Sequence, residues 1–253
     1  MASTTNNKKI TLYLNVVCPY AQRAWQTAVE KGLEFEAISV PLRGDKPDWY
    51  WKVNPRGTVP TLVHGERTIH ESLLISEYLD DAFPEAGPRL LPSDPYQRYA
   101  SRFVIDQFGS QVTPAVFQLI KNQDRAQDDK LKEELTKKVE AFAELYAAES
   151  SSKDGPYFLG ESFSLVDLAI VPFIYRFAIG LSHYRGFDLL AVDEKLKRWH
   201  DAVTQRPSWK TTTVTPEALI ESMAFYANPP QHRPRRRARR QWWPARSAGA
   251  PSA

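Results

Sequence analysis

This 253-residue chain has a single cysteine, Cys18. One thiol excludes an internal disulfide, a zinc site built from several cysteines and a CxxC dithiol pair. Any redox chemistry here uses one sulfur and takes the second from a partner. No apolar run approaches the roughly 18 residues of a membrane span. The opening stretch, Met1 to Lys9, is polar and lacks the apolar core of a signal peptide. A soluble, cytoplasmic protein is the expectation, and no metal is expected.

Acidic residues are missing from one region. Between Asn228 and Ala253, seven arginines (233, 235, 236, 237, 239, 240 and 246) meet no Asp or Glu. Setting those seven aside, the 33 basic residues fall to 26 against 30 acidic ones, so the net charge of +3 hides a mildly acidic body. A nucleic-acid surface spread over the body is therefore not indicated. The tail, 228–253, is rich in Pro, Arg and Ala without periodicity and reads as a disordered extension. Contact of Arg233–Arg240 and Trp242-Trp243 with nucleic acid or an anionic surface is the lesser reading.

What is present suits a globular fold of one or two domains, with 42% hydrophobic and 25% charged residues. Ile10, Leu12, Leu14 and Val16 alternate over residues 9–17, the pattern of a strand. Pro19 then suits the first turn of a helix, Ala24, Trp25, Ala28 and Val29 continue at helical spacing, and Gly32 ends it. Phe35 to Val40 reads as a second strand, giving a parallel crossover. Pro41 to Pro55 reads as irregular. Two short runs around Gly65-Glu66-Arg67 read as a hairpin, and Glu71 to Phe83 as a helix. The expected division is 1–83, a βαβ-ββα domain; 84–95, a proline-rich linker; 96–227, all helical; and the tail. Helices are expected near 96–123, 128–149, 164–180, 193–205 and 216–226.

Cys18 falls where a strand hands over to a helix. The first amides of a helix lack internal partners, and with the macrodipole they favour an anion. A lowered pKa and a nucleophilic thiolate are expected there. Val59-Pro60 precedes the hairpin, and a cis bond there would turn the Val59 backbone toward a ligand. Glu71-Ser72 opens a helix. A hydroxyl with free amides suits a carboxylate and the acid suits an ammonium, so an α-amino acid would fit. Ser164 to Asp167 has capping-box spacing, flanked by Phe163 and Leu168 as a hydrophobic staple, and reads as structural.

Taken together, Cys18-Pro19-Tyr20-Ala21-Gln22-Arg23, Lys46-Pro47-Asp48-Trp49, Asn54 to Pro60, Glu71-Ser72 and Ser164 to Asp167 resemble the cytosolic glutathione transferases over roughly Ile10 to Tyr226. The cysteine makes the chain similar to the omega and plant lambda classes. The resemblance implies a thioredoxin-like α/β domain followed by an all-α domain, with glutathione as co-substrate and a homodimer. It implies Cys18 as nucleophile, Val59 and cis-Pro60 against the cysteinyl part of glutathione, Glu71 and Ser72 on the γ-glutamyl end, and Lys46 on the glycyl carboxylate. Tyr20, Tyr175, Arg176 and Tyr226 are its candidates for a second substrate.

Ala21 stands where a dithiol enzyme would have its second cysteine, so the implied reaction is monothiol thiol transfer through a Cys18 mixed disulfide, with dehydroascorbate reduction open to the same sulfur. Two alternatives stay open. One is glutathione conjugation. The other is a non-enzymatic binding protein of the chloride-intracellular-channel kind, against which Glu30, Lys31, Glu34, Glu36, Arg43, Asp45 and Lys46 interrupt any span over 24–46.

Overall fold

A computed structural model of the chain describes residues 8–151 and 155–229. The expectations for the tail beyond Pro229 lie outside the described residues. In the first half, β1 (Ile10–Leu14), α1 (Pro19–Glu30) and β2 (Glu36–Ser39) form the parallel crossover, with Leu12 opposite Ala37. The β3 (Thr61–His64) and β4 (Arg67–His70) hairpin adds antiparallel to β1, with Leu12 opposite Leu62, and the sheet order is β2-β1-β3-β4. Helix α3 (Ser72–Ala82) closes the unit. This is the thioredoxin-like architecture.

Alternation explains why β1 packs as it does. Ile10, Leu12 and Leu14 share one buried face with Ala21, Ala24 and Ala28 of α1 and with Ile75 and Leu79 of α3. The small alanines let α1 close onto the sheet and onto α3. The strand stops at Leu14, short of the expected Val17. Asn15 turns the chain there: its Nδ2 donates to the Val40 carbonyl at 3.0 Å and its Oδ1 accepts from the Val17 amide at 3.2 Å. Val16 is left 42% exposed in the turn.

The segment 41–55 is a correction. It contains a short helix, α2 (Asp48–Val53), entered from Pro47, and the Tyr50 ring it carries is fully buried.

The second half is helical. Where one helix was expected over 96–123, α4 (Pro95–Gln107) and α5 (Thr113–Lys121) are joined by a π-turn at Phe108–Val112. Then follow α6 (Asp128–Glu149), α7 (Leu165–Arg185), α8 (Glu194–Thr204), an unexpected α9 (Pro207–Thr212) and α10 (Pro216–Ala227). Helix α7 runs past the expected residue 180 and ends at Gly186, whose φ of 58° forms the left-handed cap that glycine adopts without strain.

α7 qualifies the statement that no run approaches a membrane span. Its 21 residues reach a mean hydropathy of 1.7 in an 18-residue window, long and apolar enough by length and composition, but 78% of that window is buried inside the fold. A helix apolar all round needs partners on every side, and α1, α4, α5, α8 and α10 provide them.

The start of α7 is fixed by its capping box. The Ser164 amide donates to Asp167 Oδ2 at 2.9 Å and the Ser164 hydroxyl donates to the same oxygen at 2.6 Å. Asp167 Oδ1 also accepts from the Phe158 amide at 3.0 Å, from Trp199 Nε1 at 2.7 Å and from the Tyr146 hydroxyl at 3.2 Å. Burial pushes its carboxyl up, and the Ser164, Trp199 and Phe158 donors pull the other way. The residue caps α7 and at the same time joins α6, α7 and α8.

Candidate functional site

Cys18 is the N-cap of α1, with extended backbone (φ −82°, ψ 119°). Its amide donates to the Asn15 carbonyl at 3.0 Å and its carbonyl accepts from Gln22 at 3.0 Å, so the turn and the helix both hold it. The side chain is 7% exposed. The expectation of a lowered pKa is corrected here. Burial raises the thiol and is the largest effect; the Ala21 and Tyr20 amides and the charges of Arg176 and Arg23 pull it down without cancelling the rise. The helix-start argument was sound in sign, but desolvation outweighs it.

The Val59-Pro60 bond is cis. Among the described residues, neither the Val59 N–H nor its C=O has a protein hydrogen-bond partner. The loop before it is fixed from below. The Tyr50 hydroxyl donates to the Thr58 carbonyl at 2.6 Å, and Asn54 Nδ2 donates to Thr58 O and Thr61 Oγ1, each at 2.9 Å. A free backbone donor and acceptor held on such a rigid loop can pair with a peptide backbone as a strand edge does.

Glu71 precedes α3 with φ 68°, the one positive φ among the described non-glycine residues. Such a backbone costs a side-chain-bearing residue roughly 1–3 kcal/mol, and such strain clusters at ligand clamps. Its carboxylate forms an ion pair with Arg56. Ser72, the first residue of α3, is buried, and Arg23 Nη1 donates to its hydroxyl at 3.5 Å. Lys46 lies on the loop before α2, donates to the Pro41 carbonyl, and has its pKa lowered by burial and raised by the Cys18 charge.

Arg23 was not singled out from the sequence, although it lies in the quoted motif five residues after Cys18. Its Nε donates to the Ala169 carbonyl of α7 at 2.7 Å, and its guanidinium lies 4.5 Å from the Phe173 ring centroid.

The second-substrate candidates are not brought together. Tyr20 is 49% exposed beside Cys18, edge-on to Phe173 at 4.9 Å. Tyr175 turns toward α8 and α9, stacked on His200 at 5.9 Å and against Trp209 at 5.0 Å, so it is a packing residue. Arg176 is buried, donating to Val16, Val17 and Pro172 carbonyls and to Gln22 Oε1, which leaves it structural rather than facing a substrate. Tyr226 packs on Phe117 at 5.2 Å. Among the described residues no cluster of three His, Cys, Asp or Glu side chains could hold a metal.

The sequence and the fold both match known proteins. The glutathione S-transferase N-terminal domain family matches residues 12–88, and the C-terminal domain family matches residues 99–212. The chain belongs to the glutathione S-transferase family. It is 32% identical over 212 residues to glutathione S-transferase omega-1 of Sus scrofa, covering 83% of each chain. It is 35% identical over 213 residues to glutathione S-transferase L3 of Arabidopsis thaliana, covering 83% of this chain and 84% of that one. The crystal structure of rice GST1 in complex with glutathione superposes with a TM-score of 0.75 at 28% identity, covering 87% of this chain and 96% of that one. Around Cys18 the described residues offer the Val59 backbone N–H and C=O without protein partners, and a carboxylate (Glu71) and a hydroxyl (Ser72) where α3 begins.

Proposed function

We propose that this transferase is a glutathione-dependent thiol transferase working through Cys18. The observation that carries the reading is a cysteine, rather than a hydroxyl residue, at the N-cap of α1, in the core cluster against which Val59 packs, with Ser72 of α3 bonded to Arg23 of the same helix. A hydroxyl there would steady the thiolate of glutathione; a thiol forms a disulfide with it.

Glutathione is bound as substrate, its cysteinyl backbone on Val59, its γ-glutamyl ammonium on Glu71 and carboxylate on Ser72, and its glycyl carboxylate near Lys46. The Cys18 thiolate attacks the glutathionyl sulfur of a mixed disulfide G–S–S–R. The Cys18–S–S–G bond forms, the original S–S bond breaks, and R–S⁻ leaves and is protonated to R–SH. A second glutathione thiolate attacks the glutathionyl sulfur of Cys18–S–S–G, releasing oxidised glutathione and restoring the Cys18 thiolate. The net reaction is GSSR + GSH → RSH + GSSG. Dehydroascorbate reduction uses the same sulfur and the same recovery. Tyr20, exposed beside the sulfur, is the residue of the second-substrate set that remains a candidate for contacting R. One working thiol suits a reducing compartment such as the cytoplasm, and a homodimer is the assembly we propose, checked by solution mass.

Steady-state turnover of a small glutathione mixed disulfide tests this. Wild type is expected to turn over and Cys18→Ser to be inactive. Absence of turnover in wild type that still binds glutathione would sink the reading in favour of a binding protein. Conjugation of an electrophilic aromatic as the main activity would favour the conjugating reading.

A further inference from the structure

Among the described residues, other cations at or near the core have an acid or a helix end as partner. Lys31 Nζ meets Asp80 Oδ1 at 3.0 Å with both side chains buried, and the partly buried Arg206 Nε meets Glu30 Oε1 at 2.7 Å. Arg185 caps the last carbonyls of α5, donating to Leu119 O at 2.8 Å and Asn122 O at 2.9 Å. Arg23 and Arg176 have neither. Both are nearly fully buried, 6% and 4% exposed, and among the described residues neither touches a carboxylate. Their acceptors are neutral: Ala169 O and Ser72 Oγ for Arg23; Val16 O, Val17 O, Pro172 O and Gln22 Oε1 for Arg176.

Two buried charges without a counter-charge are costly unless an anion forms beside them. The titratable group on which both charges act is Cys18. Arg176 grips the two carbonyls that precede it, and Arg23 grows from the helix that it starts. Helix α7 holds the pair: its Ala169 carbonyl accepts from Arg23 Nε at 2.7 Å and its Pro172 carbonyl accepts from Arg176 Nη1 at 2.8 Å.

We propose that Arg23 and Arg176 are positioning residues whose missing counter-charge is the Cys18 thiolate, so that deprotonation of the sulfur completes a charge cluster shared by the two halves of the chain. This rests on Cys18 being the reacting group. When the thiol ionises, the cluster goes from two net positive charges to one. The charged or titratable groups that act on Cys18 are Arg176 from α7, Arg23 from α1 and, at the site's edge, Lys46 from the loop before α2; Tyr20 acts on Arg23. Burial lowers each guanidinium to about 10, and the Cys18 charge opposes that fall in both.

Because Cys18 is the only cysteine, alkylation by iodoacetamide followed by intact mass reads its thiolate alone, with no glutathione present. The pH midpoint of that rate is measured on wild type, R23Q, R176Q, R23K and R176K, with circular dichroism as the fold check. Each Gln variant is expected to raise the midpoint by about one pH unit, a tenfold loss of thiolate at fixed pH. Each Lys variant keeps the charge and is expected to stay within a few tenths of wild type. Folded Gln variants with an unchanged midpoint overturn the proposal. So does an equal shift in Gln and Lys variants, which would make the role one of shape alone. Should a Gln variant fail to fold, the Met variant at that position, which also lacks the charge, is measured against the Lys variant by the same criterion. A midpoint shift in an enzyme that fails to turn over mixed disulfides would leave this inference standing and remove only the thiol-transfer reading.

Discussion

Arg176 donates through Nε to the Val17 carbonyl at 3.1 Å and through Nη1 to Gln22 Oε1 at 2.6 Å, so one side chain of α7 holds the residue before Cys18 and the residue four after it. Cys18 is therefore placed by the docking of the two halves as well as by its own strand and helix. Gln26 Nε2 to Ser208 Oγ at 3.2 Å and the Glu30–Arg206 pair extend that docking along α1. An isolated thioredoxin-like half would lack this hold on the sulfur.

Because burial lifts the Cys18 thiol above its ordinary value, the thiolate is the minor form at neutral pH and grows as pH rises toward the folded pKa. The rate of Cys18 alkylation and the first half-reaction with a mixed disulfide are expected to climb about tenfold per pH unit on the alkaline side of neutrality. A rate already flat at neutral pH would contradict the burial effect. The same sign applies to stability. The native state holds this proton more tightly than the unfolded chain does, so the associated stability is present below the unfolded thiol pKa and is lost as pH rises through the folded one.

Glu71 has its carboxylate at the site and its backbone at φ 68°. Glu71→Gly removes both. Stability is expected to rise by up to about 1 kcal/mol, because glycine adopts this conformation without strain and the half-exposed pair with Arg56 is weak. Affinity for glutathione is expected to fall at least tenfold with the loss of a charge-assisted hydrogen bond. Urea unfolding and KM for glutathione read the two effects. Reduced stability together with unchanged KM would contradict both assignments.

Ser72→Ala is a narrower change. It removes a hydroxyl from the start of α3 and leaves the sheet and Cys18 in place. KM for glutathione is expected to rise severalfold, with alkylation of Cys18 within about twofold of wild type, corresponding to one hydrogen bond of about 1 kcal/mol. A collapse of alkylation with KM unchanged would place Ser72 in support of Arg23 rather than on the substrate.

Asp167→Ala removes the acceptor for five donors at a fully buried point. Leaving buried amides and the Trp199 ring N–H unpaired is expected to cost about 3 kcal/mol or more. Urea unfolding measures this loss, and the surviving folded protein is expected to alkylate at Cys18 with a wild-type midpoint. A cost below about 1 kcal/mol would show that the capping box is dispensable.

Much of this was legible in the sequence where a short-range pattern carries it. The alternation of Ile10, Leu12 and Leu14, Pro19 after Cys18, the Gly65 turn and the Ser164–Asp167 spacing each depend on a few neighbouring residues, and each marks the element that forms. Helix α2 was not legible, because Pro47, Pro55 and Gly44 punctuate a segment whose six helical residues are too few to show a period. The π-turn at Phe108 was hidden inside a continuous apolar rhythm. α9 begins at Pro207 and ends among threonines that favour other structure. The site divides the same way. Cys18 between a strand and a helix, Val59 before a proline and Glu71-Ser72 at a helix start are local signals, the last two weak without the family resemblance, whereas Arg23 is one more polar residue on α1 until α7 covers it. The direction of the Cys18 pKa was misread for the same reason. A helix start is local, but burial is made by packing between distant parts of the chain.

The most direct test of the account is intact mass after incubation of the reduced protein with oxidised glutathione. One added glutathionyl group on wild type, removed by excess reduced glutathione and absent from Cys18→Ser, is the predicted result. An unmodified wild-type protein at alkaline pH, or an adduct that persists in Cys18→Ser, would contradict it.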